Sequence, residues 1–164
     1  MKPTLPDPTE GARSKPASGP LLIGWKEYVA FPEWGLERIK VKIDTGARTS
    51  ALGAVSYELR EVEGRGLVAR LRLALRRKHP KRLTLVEVPV LRMIVVRNST
   101  GMPEERPLIE TVMRLGPVSK RILLTVTHRA GMRFPMILGR KALEGDFVVD
   151  VSKKYLLRKM VSGQ

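Results

Sequence analysis

At 164 residues and 18.4 kDa, with 43% hydrophobic and 29% charged residues, the chain has the size and balance of one globular domain. It has no apolar run long enough to span a bilayer as a helix. The absence of cysteine excludes disulfides, iron–sulfur clusters, thiol nucleophiles and cysteine-ligated zinc, and leaves a cytoplasmic address as the simpler reading. The 31 Lys and Arg against 16 Asp and Glu give a formal charge of +15, a field that attracts a nucleic acid, an acidic peptide or an anionic surface.

Residues 1–20 contain Pro3, Pro6, Pro8, Pro16 and Pro20 and no apolar periodicity, which predicts a disordered Pro-rich tail. No hydrophobic stretch of a secretory signal follows Lys2. The tail sets Lys2, Arg13 and Lys15 against Asp7 and Glu10, so the charge belongs to a folded domain over 21–164. There the pattern has a period of two. Over 38–43, Ile39, Val41 and Ile43 fall on one face and Arg38, Lys40 and Lys42 on the other, the signature of a half-buried strand. Residues 70–76 repeat it, with Leu71, Leu73 and Leu75 inward and a second basic face outward. Further β-type runs cover 83–96, 108–115 and 121–127, separated by His79-Pro80, Asn98-Ser99-Thr100-Gly101 and Gly116-Pro117. Pro89 marks an edge or a bulge. Residues 140–144 offer one short helix between Gly139 and Gly145. The final runs 147–151 and 155–157 are expected to pair as a hairpin around Ser152-Lys153-Lys154. The class is all-β, a barrel or sandwich of many short strands.

The chemistry-bearing residues are few. His79 and His128 are the only histidines and form no H-E-x-x-H pair, so no protein-built metal site is expected; His79 reads as a solvated loop residue and His128 as a strand end. Neither phosphate-binding glycine motif is present, and no serine, Ser50, Ser56 and Ser99 included, has a nucleophile-elbow context, so no cofactor is expected. The informative stretch is Ile39-Lys40-Val41-Lys42-Ile43-Asp44-Thr45-Gly46-Ala47-Arg48-Thr49-Ser50-Ala51-Leu52. An apolar strand runs into Asp-Thr-Gly, which presents a carboxylate where the chain leaves the sheet, and Gly46 permits a tight turn. Taken alone, the tripeptide fits an ordinary turn in which Asp44 or Thr45 bonds to nearby backbone. Far downstream stands Met136-Ile137-Leu138-Gly139-Arg140.

Together, the apolar-apolar-Asp44-Thr45-Gly46-Ala47 motif and the distal Ile137-Leu138-Gly139-Arg140 resemble the retropepsin-like aspartic peptidases. With Ile23-Gly24-Trp25-Lys26-Glu27-Tyr28-Val29 and Met132-Arg133-Phe134-Pro135 the chain is closer still to the RimB-type family, often labelled "ATP-dependent zinc protease" and found beside RimK-type glutamate ligases; the resemblance covers roughly 21–157. It implies a retropepsin-like barrel with one short helix after Ile-Leu-Gly-Arg, assembled as a two-fold homodimer in which each subunit supplies Asp44. Asp44 is also the only Asp followed by Thr-Gly or Ser-Gly, so one chain cannot build the dyad. The resemblance further implies that Thr45 bonds across the axis, that Gly46 allows close approach, that Ala47 and Arg48 border the substrate groove, and that Gly139 and Arg140 brace the active-site loop. Arg48 either binds a substrate carboxylate or makes an internal salt bridge to Asp146 or Asp150. The neighbouring ligases point to a glutamate-rich tail as substrate, which the basic field would concentrate.

Relatives in that family place His after Ser-Ala-Leu, where this chain has Gly53, so no role or metal resting on that histidine carries over. The polar turn over 97–106, with Gly101 near its tip, is either a flap or a plain surface turn. Two other functions fit the charge: a nucleic-acid-binding β domain, and a module that binds acidic peptides without cutting them. Against the former, aromatic residues are 5% of the chain, and Trp25, Tyr28, Phe31 and Trp34 share one segment instead of spacing out a stacking platform.

Overall fold

The computed structural model describes residues 19–76, 78–79, 81–98, 100–128 and 133–158. The tail expected over 1–20 lies outside the described residues up to 18, as does the end of the expected domain from 159 onward. Strands dominate because apolar side chains recur at every second position and bury one face of each strand. β1 (Leu21–Gly24) and β2 (Lys26–Phe31) lead through a 3-10 turn at Pro32–Trp34 to β3 (Leu36–Ile43). Then follow β4 (Ser50–Ala54), β5 (Ser56–Val62), β6 (Gly66–Leu73), β7 (Thr84–Pro89), β8 (Arg92–Arg97), β9 (Pro103–Leu115) and β10 (Val118–His128). β11 (Met136–Leu138), a single helical turn α1 (Arg140–Leu143) and β12 (Phe147–Asp150) complete the order.

Strands β10, β4, β11, β3, β2 and β9 lie side by side in that order, and β9 pairs back to β10, so six strands close into a barrel with β8 attached outside on β9. Closure leaves no unpaired edge within the ring. Ile39, Val41 and Ile43 of β3 point inward as their spacing demands, and meet Leu52, Ile109, Met113, Leu124, Met136 and Leu138 in one buried cluster. On β10 the inward set is Val118, Lys120, Ile122, Leu124 and Val126. The lysine is tolerated there because its ammonium lies 2.7 Å from the fully buried carboxylate of Asp146.

β5, β6 and β7 form a separate three-stranded antiparallel sheet whose Ala69, Leu71, Leu73, Val86 and Val88 join the same core. β6 starts before the expected run and ends at Leu73, with Leu75 packed against the core beyond the strand. Its outward face is not an unmatched basic one. Cross-strand register sets Arg70 opposite Glu87 at 3.1 Å, and Arg72 reaches Glu58 at 3.4 Å. The run 83–96 divides at Val90 and Leu91, whose N–H groups bond to Leu67 and Leu108, and its two halves belong to different sheets. Pro89 ends an edge strand, where its missing N–H breaks no ladder.

The expected hairpin of 147–151 with 155–157 does not form. β12 pairs in parallel with β1, Leu21 opposite Phe147 through Gly24 opposite Asp150. Asp150 then accepts bonds from the Ser152 hydroxyl and N–H, which hold its carboxyl below the usual range and turn the chain across the β1–β2 junction. The Lys153 carbonyl receives the Trp25 N–H, and Tyr155 N–H reaches the Lys26 carbonyl. Glu27, 1% exposed, holds this crossing: its carboxylate accepts the N–H groups of Gly24 at 2.7 Å, Leu156 at 2.9 Å and Leu157 at 3.2 Å. A side chain at Gly24 would meet the Lys153 backbone, so only glycine lets the two segments touch. No helix among the described residues is long and apolar enough to cross a membrane.

Candidate active site

β3 ends at Ile43, and the chain leaves the barrel there as the turn Asp44-Thr45-Gly46 before returning as β4 at Ser50. β11 lies between these two strands, parallel to β3 and antiparallel to β4. Consecutive backbone groups at its end therefore meet both sides of the loop. Asp44 N–H donates to the Leu138 carbonyl at 2.8 Å and Gly139 N–H to the Ser50 hydroxyl at 3.0 Å; Arg140 N–H reaches the Ala47 carbonyl at 2.8 Å and Lys141 N–H the Arg48 carbonyl at 3.1 Å. The Arg140 guanidinium adds a bond to the Thr45 carbonyl at 2.9 Å. Gly139 sits against the Thr49 and Ala47 backbone, and a Cβ there would stand 2.8 Å from Thr49 C and O. The two motifs, far apart in sequence, are thus one hydrogen-bonded unit.

Within the turn, Asp44 Oδ1 accepts the Gly46 N–H at 3.1 Å and the Asp44 carbonyl accepts the Ala47 N–H at 3.2 Å. This is the local side-chain turn that the tripeptide alone suggests. It fixes one carboxylate oxygen and leaves the other without a hydrogen-bond partner among the described residues. Asp44 is half-buried, while Thr45 and Gly46 face solvent.

Beside the turn lies an open depression of about 580 Å3 lined by Thr45, Arg48, Arg140, Lys141, Leu143, Glu144, Phe147 and Val149. Its walls are cationic over an apolar floor. Lys141 stands 3.6 Å from Glu144, an exposed pair of little energetic weight. Arg48 makes no ion pair among the described residues. Of the two acids suggested as its internal partners, Asp146 is held by Lys120 and Asp150 by Ser152. A second group of cations gathers along β2 and β3, where Lys26 is opposite Lys42. Burial, then the charges of Lys154, Lys40 and Arg133, hold the Lys26 ammonium below its usual range. Its ammonium rests 4.7 Å from the Trp25 ring centre and 5.3 Å from that of Tyr155.

Sequence reasoning assigned no role to Ser50, which is the acceptor for Gly139, nor to Glu27, whose clamp lies beside the strand that carries Asp44; Ile43 N–H bonds to the Trp25 carbonyl at 2.8 Å. A readable signal for Glu27 was an acid at an inward position of an alternating strand. Asn98 and residues 100–102 lie away from Asp44 of the same chain. Leu124 is opposite Ser50 and His128 opposite Ala54, and Glu104 bonds to Thr127, so the β8–β9 tip continues toward the other end of these strands. Its own order comes from Asn98 Oδ1, which accepts the Thr100 and Met102 N–H groups. His128 stacks on Tyr57, and the position where relatives carry histidine is buried Gly53, bonded to the Pro135 carbonyl. The donors around Asp44 do not fit zinc: no group of three His, Cys, Asp or Glu that could hold a metal occurs among the described residues.

Comparison with known proteins agrees with this geometry. The model of the family described as "RimB-like: Retropepsin-like aspartic endopeptidase RimB" matches residues 22–160. The chain is 34% identical over 136 residues to a protein named probable alpha-L-glutamate ligase from Shewanella pealeana, and 34% identical over 134 residues to one of the same name from Desulfotalea psychrophila. These alignments cover 83% and 79% of this chain but only 30% and 28% of those relatives. The crystal structure of Lpg0085, a protein of unknown function from Legionella pneumophila, superposes with a TM-score of 0.67 at 21% identity, covering 84% of this chain and 98% of that one. At that identity the likeness speaks to the fold alone.

Proposed function

This chain belongs to the RimB-like family of retropepsin-like aspartic endopeptidases, and from that membership we propose that it is a homodimeric aspartic peptidase acting on glutamate-rich protein tails. The observation that carries the reading is the Asp44 carboxylate, presented on a solvent-facing turn that β11 and α1 hold by five hydrogen bonds. In the proposed dimer, Asp44 of each copy meets at the two-fold axis and Thr45 bonds across it. Two carboxylates so close share one proton. The protonated one polarises the scissile carbonyl, the ionised one takes a proton from water, and the water oxygen bonds to the carbonyl carbon. The C–N bond then breaks as the nitrogen receives a proton, leaving a carboxylic acid and an amine. The donor set calls for no metal in these steps, and turnover is expected to be indifferent to chelators.

Support for an acidic substrate comes from Arg48, Arg140 and Lys141 around the depression beside the turn, from the formal charge of +15, and from relatives named as glutamate ligases in which a stretch like this chain is under a third of the whole. An Arg48 guanidinium with no ion pair among the described residues suits bidentate binding of a substrate carboxylate. Incubation of the protein with a carrier bearing a glutamate tail should release tail fragments detectable by mass spectrometry, and a glutamine tail of equal length should survive. Specific activity should rise with protein concentration as dimers form. Tight binding of RNA with both tails left intact would favour the nucleic-acid reading instead.

Arg140 acts through the Thr45 carbonyl and is a positioning residue. Arg140→Ala should lower kcat about 10- to 100-fold with a smaller change in KM, because loosening the turn misplaces Asp44. Thermal stability should hardly change, since the lost bond is solvent-exposed. An unchanged kcat would remove Arg140 from the machinery.

A further inference from the structure

Between Glu63 and Glu87 the sequence has no acid and eight Lys or Arg residues. Those on the three-stranded sheet are matched: Arg65 and Arg70 with Glu87, Arg72 with Glu58. The described cations of the β6–β7 connection differ. Arg76, Lys78, Lys81 and Arg82 are exposed and have no ion pair among the described residues. Two successive turns shape this segment, His79 N–H to the Arg76 carbonyl and Arg82 N–H to the His79 carbonyl, each 3.1 Å. They enclose an open depression of about 560 Å3 lined by Lys78, His79, Lys81 and Arg82. None of these residues lines the depression beside Asp44. The chain therefore carries two separate cationic hollows.

We propose that Lys78, His79, Lys81 and Arg82 form an anchoring site for a long polyanionic polypeptide, which they hold by carboxylates distant from the bond that is cut. The proposal rests on the peptidase reading for the identity of that polypeptide as a glutamate-rich tail. The described lining carries three cations and one imidazole, with no acid and no Trp, Tyr or Phe among the described residues, and favours a ligand recognised chiefly by negative charge. An extended glutamate chain meets that description; an RNA strand would find only His79 and Arg82 to stack on, in place of the spaced aromatic platform that single-strand binders use. Reach is sufficient. Twenty extended residues span about 66 Å, beyond the roughly 40 Å diameter of a domain of this size, so one tail can occupy both hollows, while four residues, about 13 Å long, occupy one. Engagement at two points raises the affinity for long tails over short ones without any new contact at the cleaved bond.

The test uses the full chain with Asp44→Asn, so that nothing is consumed, and compares it with the same chain also carrying Lys78→Ser, Lys81→Ser and Arg82→Ser. Fluorescence anisotropy reads the binding of labelled oligoglutamates of twenty and four residues at about 0.15 M salt, where distant surface charges are screened. The triple change should weaken the twenty-residue ligand at least about tenfold and leave the tetramer within about twofold. Equal weakening of both lengths, or of neither, overturns the proposal. So does a labelled RNA of twenty nucleotides that outcompetes the long glutamate chain and loses more affinity on the triple change. In the chain with native Asp44, the triple change should leave tetraglutamate turnover unaltered and raise KM for the long tail. If no variant cleaves either length, the peptidase reading fails, and the anisotropy result still decides the anchoring site.

Discussion

If the proposed function holds, Asp44→Asn should reduce hydrolysis of a glutamate tail by at least about 10^3-fold while leaving the fold and the proposed dimer intact. The structural half of that expectation follows from the turn. The oxygen that accepts the Gly46 N–H is retained as an amide carbonyl in asparagine, and the Asp44 backbone bonds to Leu138 and Ala47 do not involve the side chain. The catalytic half follows from the dyad: an amide can neither take a proton from water nor share one with its twin. Mixing gives a sharper readout. When wild-type and Asp44→Asn chains are exchanged at equal amounts, about one quarter of dimers carry two aspartates, so activity per wild-type chain should fall to about half. If one intact aspartate suffices, activity per wild-type chain rises to about 1.5 times, and if each aspartate works alone it stays constant; either result makes the shared dyad wrong. Turnover that survives in Asp44→Asn, or that EDTA abolishes and zinc restores, refutes the mechanism.

Glu27→Ala should be the most damaging change away from Asp44. Three backbone N–H groups, those of Gly24, Leu156 and Leu157, converge on one carboxylate that is 1% exposed, and alanine leaves all of them without an acceptor. The cost should be about 3–5 kcal/mol, or a fall in melting temperature of roughly 10–20 °C for a domain of this size. Glu27→Gln should lose less, because one of its terminal atoms still accepts while the other becomes a donor facing donors. Denaturant unfolding of both variants checks the order. A loss below about 1 kcal/mol in the alanine variant would show that water replaces the carboxylate without penalty. Activity should fall alongside, since Trp25, next to the clamped Gly24, receives the Ile43 N–H at the base of the Asp44 turn.

The strands were legible where one face is apolar and the other charged. Ile39, Val41 and Ile43 could be assigned inward from their spacing alone, as could Leu71 and Leu73. Partners were harder to foresee. Residues 147–151 and 155–157 look like two arms of a hairpin, yet Lys153 between them accepts the Trp25 N–H and Tyr155 donates to Lys26, so long-range partners replace the local ladder. Arg70 and Arg72 read as free cations because Glu87 and Glu58 become their neighbours only through sheet register. The Asp44 loop was legible as chemistry, because a strand running into Asp-Thr-Gly is a local pattern. Its support by Ser50 and Leu138 was not, since those contacts depend on β11 lying between β3 and β4. Lys120 shows the same limit: on an apolar strand face it makes sense only with Asp146 beside it.

The parallel pairing of β1 with β12 bears on how the protein is born. β1 finds its mate only after residues 147–150 have emerged, and the carboxylate of Glu27 must wait longer, for 156 and 157. Contacts between such distant stretches form slowly, because the whole intervening chain must be brought round before they give any return. A nascent chain that already displays Asp44 thus lacks the tie that steadies the neighbouring strands until residues 156 and 157 have emerged.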